Sequence, residues 1–316
     1  MEFIGQASIL KTFKNEMMHE ALGHAYAFTG QKGIGKRTLA HYVAKTVLCT
    51  DKSNDFKPCG VCRSCRGFDE NINPNFKVIR NETRKILIKQ IRELIEDISI
   101  RPSVGKKVYL IEEADLMTTD AQNCLLKTLE DPPEYGIILL TTSVYESLLL
   151  TIRSRVVQIR LKPYSIQDMK AIATENNIDI TDKEHFLSLS GGNPGRFIEL
   201  LDDKGFEENR NMVMRFVFEG STNSRLEFNQ YLSKKKNSFS SCMDILESVY
   251  RDTLLAQCSL VDGLINSDKK DNIIKYAKGY SPLDISEKIS RIQEVRSNLK
   301  RNMNYQLAVD MVTLDL

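Results

Sequence analysis

The order of apolar runs along this chain predicts an α/β fold: a mostly parallel sheet covered by helices, followed by two all-helical segments. Three observations carry the prediction. Residues 1 to about 163 alternate short apolar runs with helical patterns, as expected of strands joined by crossover helices. A glycine-rich loop lies between the first apolar run and a helix. After Pro163 only helical periodicity remains.

Taken in order, the first 18 residues carry charges throughout an amphipathic helical pattern, unlike a signal peptide. Strands are expected at Tyr26–Thr29, Phe76–Arg80, Lys107–Ile111, Ile137–Thr142 and Val156–Leu161. Helices are expected between them near 36–49, 86–99 and 118–130; in the second, Ile88, Ile91, Ile95 and Ile98 share one face. Helices then follow at Ile166–Glu175, Asp182–Leu189 and Pro194–Leu201, the last with Asn193 as cap and Pro194 in its first turn. From about 206 the chain reads as helical to its end. One stripe is Leu246, Val249, Tyr250, Thr253 and Leu254, a second is Ile285, Ile289, Ile292 and Leu299, and Leu307, Met311 and Leu314 close it. The expected domains are 1–163, 164–205 and 206–316.

Composition narrows the function classes. The 316 residues exceed one ordinary core, and 41% hydrophobic with 27% charged residues is usual for a globular protein. Net charge is +2, from 44 basic and 42 acidic residues, so bulk electrostatics does not argue for nucleic-acid binding. No apolar run reaches the length of a membrane span, and a cytoplasmic location is expected. Lys234–Lys236 reads as a solvated surface run.

The first strand runs into GQKGIGKRT, residues 30–38. Gly30, Gly33 and Gly35 let backbone N–H groups wrap phosphates, and Lys36 is delivered to them at a helix start. The next position usually holds a Ser or Thr whose hydroxyl ligates Mg²⁺; here it is Arg37. Thr38 is one residue later, about 100° round the helix, and should point elsewhere. The run KVYLIEEAD ends a strand in Glu112 and Glu113. In nucleotide hydrolases of this type the first acid, usually Asp, helps hold magnesium and the second polarises water. Glu112 is a methylene too long, and Glu113 stands where the base should be. Nucleotide binding could survive, but hydrolysis should be weak or absent.

Of seven cysteines, four form C-x9-C-x2-C-x2-C: Cys49, Cys59, Cys62 and Cys65. Four thiolates satisfy tetrahedral Zn²⁺, and short spacings let one loop wrap the ion; two overlapping CxxC pairs suit a closed metal site better than a redox pair. Cys49 stands ten residues before the first of the other three, and His41 is the alternative fourth ligand. A closed site has no open position for substrate, so its expected role is structural. Cys124, Cys242 and Cys258 read as buried small hydrophobes.

DAQNCLLKTLEDPPEYGIILLTTS, residues 120–143, resembles the clamp-loader version of the AAA+ ATPase core. TIRSRV at 151–156 resembles the SRC motif of that family, with Val156 in place of Cys, and GGNPGRFIEL at 191–200 resembles its second-domain sensor helix. The resemblance implies a P-loop core with a zinc module at about 49–66, a helical lid and a helical collar for oligomerisation. It implies a hetero-pentamer with gamma/tau and delta subunits, which meets a sliding clamp and primer–template DNA in replication. It also implies that Arg155 acts in trans on a neighbour's ATP, and that Thr142 and Arg196 occupy sensor positions. Arg153 is a nearby cation outside the motif. The departures at Arg37 and Glu112 fit a non-hydrolysing member. Two readings compete: an active ATPase of the same family, and a zinc-containing nucleic-acid-binding module on an ATPase scaffold.

Overall fold

The computed structural model describes residues 3–51, 56–81, 84–181 and 183–316, without the side chains of Asp262 and Lys300. Met1 and Glu2 of the first expected helix, residues 52–55 of the cysteine segment and Asp182 lie outside the described residues. The chain divides into two compact units. One is Met1–Asn177 with Gly192–Arg196, the other Ile178–Gly191 with Phe197–Leu316.

The first unit runs α1 (Ala7–Met18), β1 (Ala25–Thr29), α2 (Lys36–Leu48), α3 (Arg63–Asp69), β2 (Phe76–Ile79), α4 (Ile88–Ser99), β3 (Lys107–Ile111), α5 (Thr119–Glu130), β4 (Gly136–Thr142), α6 (Leu150–Arg153), β5 (Val157–Arg160) and α7 (Ile166–Glu175). The strands form one parallel sheet in the order β2-β3-β4-β1-β5. The three central strands are buried along their whole length, as their mostly apolar runs lead one to expect. The edge strands are only part covered.

Helix α4 turns Ile91, Leu94 and Ile98 into the core, whereas Ile88 and Ile95 are half-buried. Leu94 lies on the same face as the isoleucines. Each such side chain contributes roughly 1.5–3 kcal/mol on burial. Thr118 caps α5 by accepting the Ala121 N–H, and Ser165 with Asp168 forms a capping box on α7. The fold is thus held by the sheet core and caps, which leaves side chains at the strand ends free to differ.

The second unit contains α8 (Glu184–Leu189), most of α9 (Pro194–Asp202), α10 (Phe206–Glu219), α11 (Thr222–Lys234), α12 (Phe239–Gln257), α13 (Lys270–Ala277), α14 (Pro282–Lys300) and α15 (Tyr305–Asp315). Helix α12 buries Leu246, Val249, Tyr250 and Thr253 as expected, while Leu254 is half-buried. Helix α14 buries Ile285, Ile292 and Val295. The face of α15 is corrected. Leu307 and Leu314 are exposed, and Ala308, Val309, Val312 and Thr313 are buried against α11 and α14. Both sets have helical spacing, so periodicity alone could not choose between them. Cys242 is buried as expected, Cys124 is half-buried, and Cys258, at the end of α12, is exposed rather than buried.

Candidate functional site

Helix α2 carries one candidate site at each end. At its start, Gly33 and Gly35 take φ of +83° and +93°, a conformation that side-chain-bearing residues rarely adopt. The loop they shape places Lys36 as the first helical residue. Lys36 Nζ donates to the carbonyls of Gly30 and Gln31 at 2.8 Å and to Ser143 Oγ at 2.9 Å. Burial holds the Lys36 ammonium below its ordinary pKa, opposed by the nearby Asp115 and Glu113 carboxylates.

A cleft of about 480 Å³ opens beside this loop, and Thr38, Arg80, Asn81, Glu112, Glu113, Thr142 and Ser143 help line it. Thr38 is exposed and borders the cleft. Glu112, whose side chain is 11% exposed, is held by three groups. Arg37 Nε lies 2.8 Å from Oε1, His41 Nε2 3.5 Å from Oε1, and Arg80 Nε 3.1 Å from Oε2. Both carboxylate oxygens are occupied by the protein's own groups, and a guanidinium stands beside the position of the usual magnesium-ligating hydroxyl. These residues do not fit Mg²⁺. His41, the alternative metal ligand, is committed here and not to the cysteines.

Glu113 adopts φ +51°. Its N–H donates to Thr141 Oγ1 at 3.1 Å, and Asn81 Nδ2 donates to its Oε2 at 2.6 Å. Thr142 is fully buried, and its hydroxyl accepts the Val144 N–H. Ser143, not Thr142, meets the loop lysine. Arg80, Asn81 and Ser143 were not singled out from the sequence. Arg80, Asn81 and Ser143 follow β2 and β4, and carboxyl ends of parallel strands converge at one edge of a sheet. That rule was the available signal.

Asn193 and Gly195 also touch the loop. Asn193 Oδ1 accepts the Arg196 N–H, as its capping role predicts, while its Nδ2 donates to Lys32 O at 2.8 Å. Gly195 N–H donates to Gly33 O at 2.9 Å. A Cβ on Gly195 would meet Gly33 Cα at 2.5 Å, so only glycine fits. The Arg196 side chain is exposed, with no ion pair among the described residues.

Arg155 follows α6. Its Nη1 donates to Thr151 O at 2.9 Å and Ser154 Oγ at 3.1 Å, and its Nη2 pairs with Glu130 at 2.8 Å. The side chain is 34% exposed. Arg153 lies over the Tyr145 ring instead. Arg155 makes no described contact with this chain's own cleft.

At the far end of α2, Cys49 is the residue that ends the helix. Cys49, Cys59, Cys62 and Cys65 bring their Sγ atoms within 4.8 Å of one another. The Cys49–Cys62 and Cys59–Cys65 separations are 4.0 Å. Tetrahedral zinc with Zn–S of ~2.3 Å needs Sγ separations of about 3.8 Å. Backbone N–H groups of Cys59, Cys62 and Cys65 donate to the sulfurs of Cys49, Cys59 and Cys62. The four residues fit a tetrathiolate metal ion.

Two family matches cover most of the chain: "DNA polymerase III, delta subunit" at residues 5–165, and its C-terminal counterpart at 205–316. The chain belongs to the DNA polymerase III delta-subunit family. Membership bears out the resemblance seen in the sequence. Within this family's reach, DNA polymerase III subunit delta′ of Bacillus subtilis (strain 168) is 28% identical over 98% of this chain and 96% of its own length. Subunit tau/gamma of Haemophilus influenzae is 34% identical over 57% of this chain and 27% of its own length, so the chain spans about a quarter of that relative. A solved DNA clamp loader delta protein from Bacillus subtilis aligns over 97% of this chain and 98% of that one. That likeness is loose, with 13% identity and a TM-score of 0.39. Among the described residues no helix is long and apolar enough to cross a membrane.

Proposed function

We propose that this delta-subunit-family chain is a clamp-loader component that does not turn over ATP itself and lends Arg155 to an ATP site on a gamma/tau neighbour. The observation that carries the first half is the capture of both Glu112 oxygens by Arg37, His41 and Arg80. Glu113, Thr142 and Arg196 are then vestiges of a catalytic arrangement, and any ATP or ADP at Gly30–Thr38 is held rather than split. The chain assembles with gamma/tau and delta in a cytoplasmic hetero-pentamer that reaches the sliding clamp and primer–template DNA. In this reading 1–163 is the ATPase-like core, 164–205 the lid and 206–316 the collar that joins subunits. The cysteine cluster holds zinc as a structural ion.

Arg155 is suited to act outside its own chain. Its partner Glu130 is 52% exposed. A surface pair of this kind contributes about 0–1 kcal/mol, little enough to exchange for a phosphate. A finger of this type raises turnover at the site it serves by roughly 10³–10⁵. Co-purification with gamma/tau and delta, followed by ATPase measurement on the complex, tests the reading. Arg155→Ala is expected to silence the neighbouring site while assembly persists. Unchanged ATPase in the assembled variant sinks the finger role, and family-typical ATP turnover by the isolated chain sinks the non-hydrolysing role.

A further inference from the structure

We propose that the cleft beside the Gly30–Thr38 loop binds a di- or triphosphate group without a divalent cation, with Arg37 and Arg80 taking the place of magnesium. The inference rests on the non-hydrolysing reading and adds the ligand chemistry and its metal independence. Arg37 and Arg80 each spend Nε on Glu112, at 2.8 and 3.1 Å. No acceptor for the Nη groups of either is found among the described residues, and the two side chains are 58% and 53% exposed. Glu112 thus braces two guanidinium groups whose outer edges remain available. A guanidinium edge matches two oxygens of a phosphate and remains charged at any working pH.

Charge at the cleft points the same way. Lys32, Lys36, Arg37 and Arg80 line it against Glu112 and Glu113, and with Asp115 beside Lys36 an excess of one positive charge remains before any ligand enters. A divalent ion would raise that excess and would have to displace Arg37 or Arg80 to reach a Glu112 oxygen. An anionic phosphate chain instead neutralises the excess. The space, about 480 Å³, accommodates such a group. Magnesium normally offsets the charge of a bound polyphosphate; here two arginines held on one carboxylate can do so.

The test is titration calorimetry on the full chain with ADP, ATP and inorganic pyrophosphate, each in excess EDTA and in excess magnesium. The expected result is binding in EDTA with Kd within about twofold of the magnesium value for the preferred ligand. Arg37→Thr is expected to weaken EDTA binding by about tenfold or more, since charge-assisted bonds of this kind are among the stronger ones. Arg80→Gln, remote from the helix start, provides a second variant with the same expected direction. Pyrophosphate binding as tightly as ADP identifies free polyphosphate as the ligand; ADP binding at least about tenfold tighter identifies a nucleotide. Absence of binding at millimolar ligand, a magnesium requirement, or full EDTA binding by both variants overturns the proposal. Magnesium-dependent binding without turnover would overturn it alone, whereas ATP turnover by the isolated chain would overturn the non-hydrolysing reading beneath it.

Discussion

The two ends of helix α2 invite comparison, because each builds a small site from a loop containing glycine and each suits a charged guest. At the carboxyl end four sulfurs face one another at separations close to those a tetrahedral ion imposes, and backbone N–H groups support them. At the amino end the acid that should receive a metal already has Arg37, His41 and Arg80 around it. One end offers four convergent sulfurs to a guest; at the other the protein has balanced the acid internally. Sequence motifs report that a loop is present. Whether the loop can use its usual ion depends on which neighbouring side chains have reached it first.

The largest expected effect sharpens the cysteine half of this contrast. The purified chain should carry about one zinc, measured by atomic emission, and a strong chelator should remove it. Structural zinc supplies roughly 10–16 kcal/mol of apparent binding energy in small peptides. Loss of even a third of that would lower Tm by roughly 7–20 °C, at about 2–4 °C per kcal/mol for a domain of this size. Cys62→Ser should reproduce the loss without chelator. A chain that contains no metal and melts unchanged with chelator would break the contrast, leaving the cluster as four packed thiols.

A smaller effect is expected at the amino end from Gly195→Val. The new Cβ would start 2.5 Å from Gly33 Cα and 3.0 Å from Gly33 O, both backbone atoms that cannot rotate away. Overpacking of this kind costs about 1–3 kcal/mol, so Tm should fall by roughly 2–12 °C. Zinc content should stay at the wild-type level, because the damage is confined to the other end of α2. Loss of metal along with stability would show that the two ends are coupled through the helix.

Much of this arrangement was legible in the sequence, for identifiable reasons. The sheet was visible because its central strands are short, mostly apolar runs, and the expected Lys107–Ile111 strand coincides with β3. The Arg37 departure was visible because it breaks a local motif, and the cysteine cluster because its spacing is short. The groups that complete the amino-end site were not visible. Arg80 reaches Glu112 across 32 positions, and Asn193 reaches Lys32 across 161. Neither contact has a periodicity, so each depends on the sheet order and on the path of the later chain. The face of α15 was misassigned for a different reason: two apolar stripes compete on one helix, and only its neighbours decide between them.

The smallest effect separates the two ends by pH. His41 lies on α2 against Glu112, and burial pulls its imidazole below the usual range; the Glu112 hydrogen bond and charge oppose this, while Arg37 and Arg80 reinforce it. The folded chain therefore holds the neutral ring more firmly than the unfolded chain does. The sign follows from proton uptake: below the ordinary pKa of about 6.5 the unfolded state binds the extra proton first, so stability falls as pH drops from there toward the lowered value. Acid would also protonate thiolates that hold a metal, so wild type alone cannot isolate this contribution. His41→Gln can, since both proteins carry the same cysteines. Wild type should lose roughly 1–3 °C of Tm relative to the variant between about pH 7.5 and 5.5, well below the chelator effect. A constant difference across that range would mean that His41 does not titrate on folding. Of the two ends of α2, only the cysteine end would then be sensitive to acid in this range.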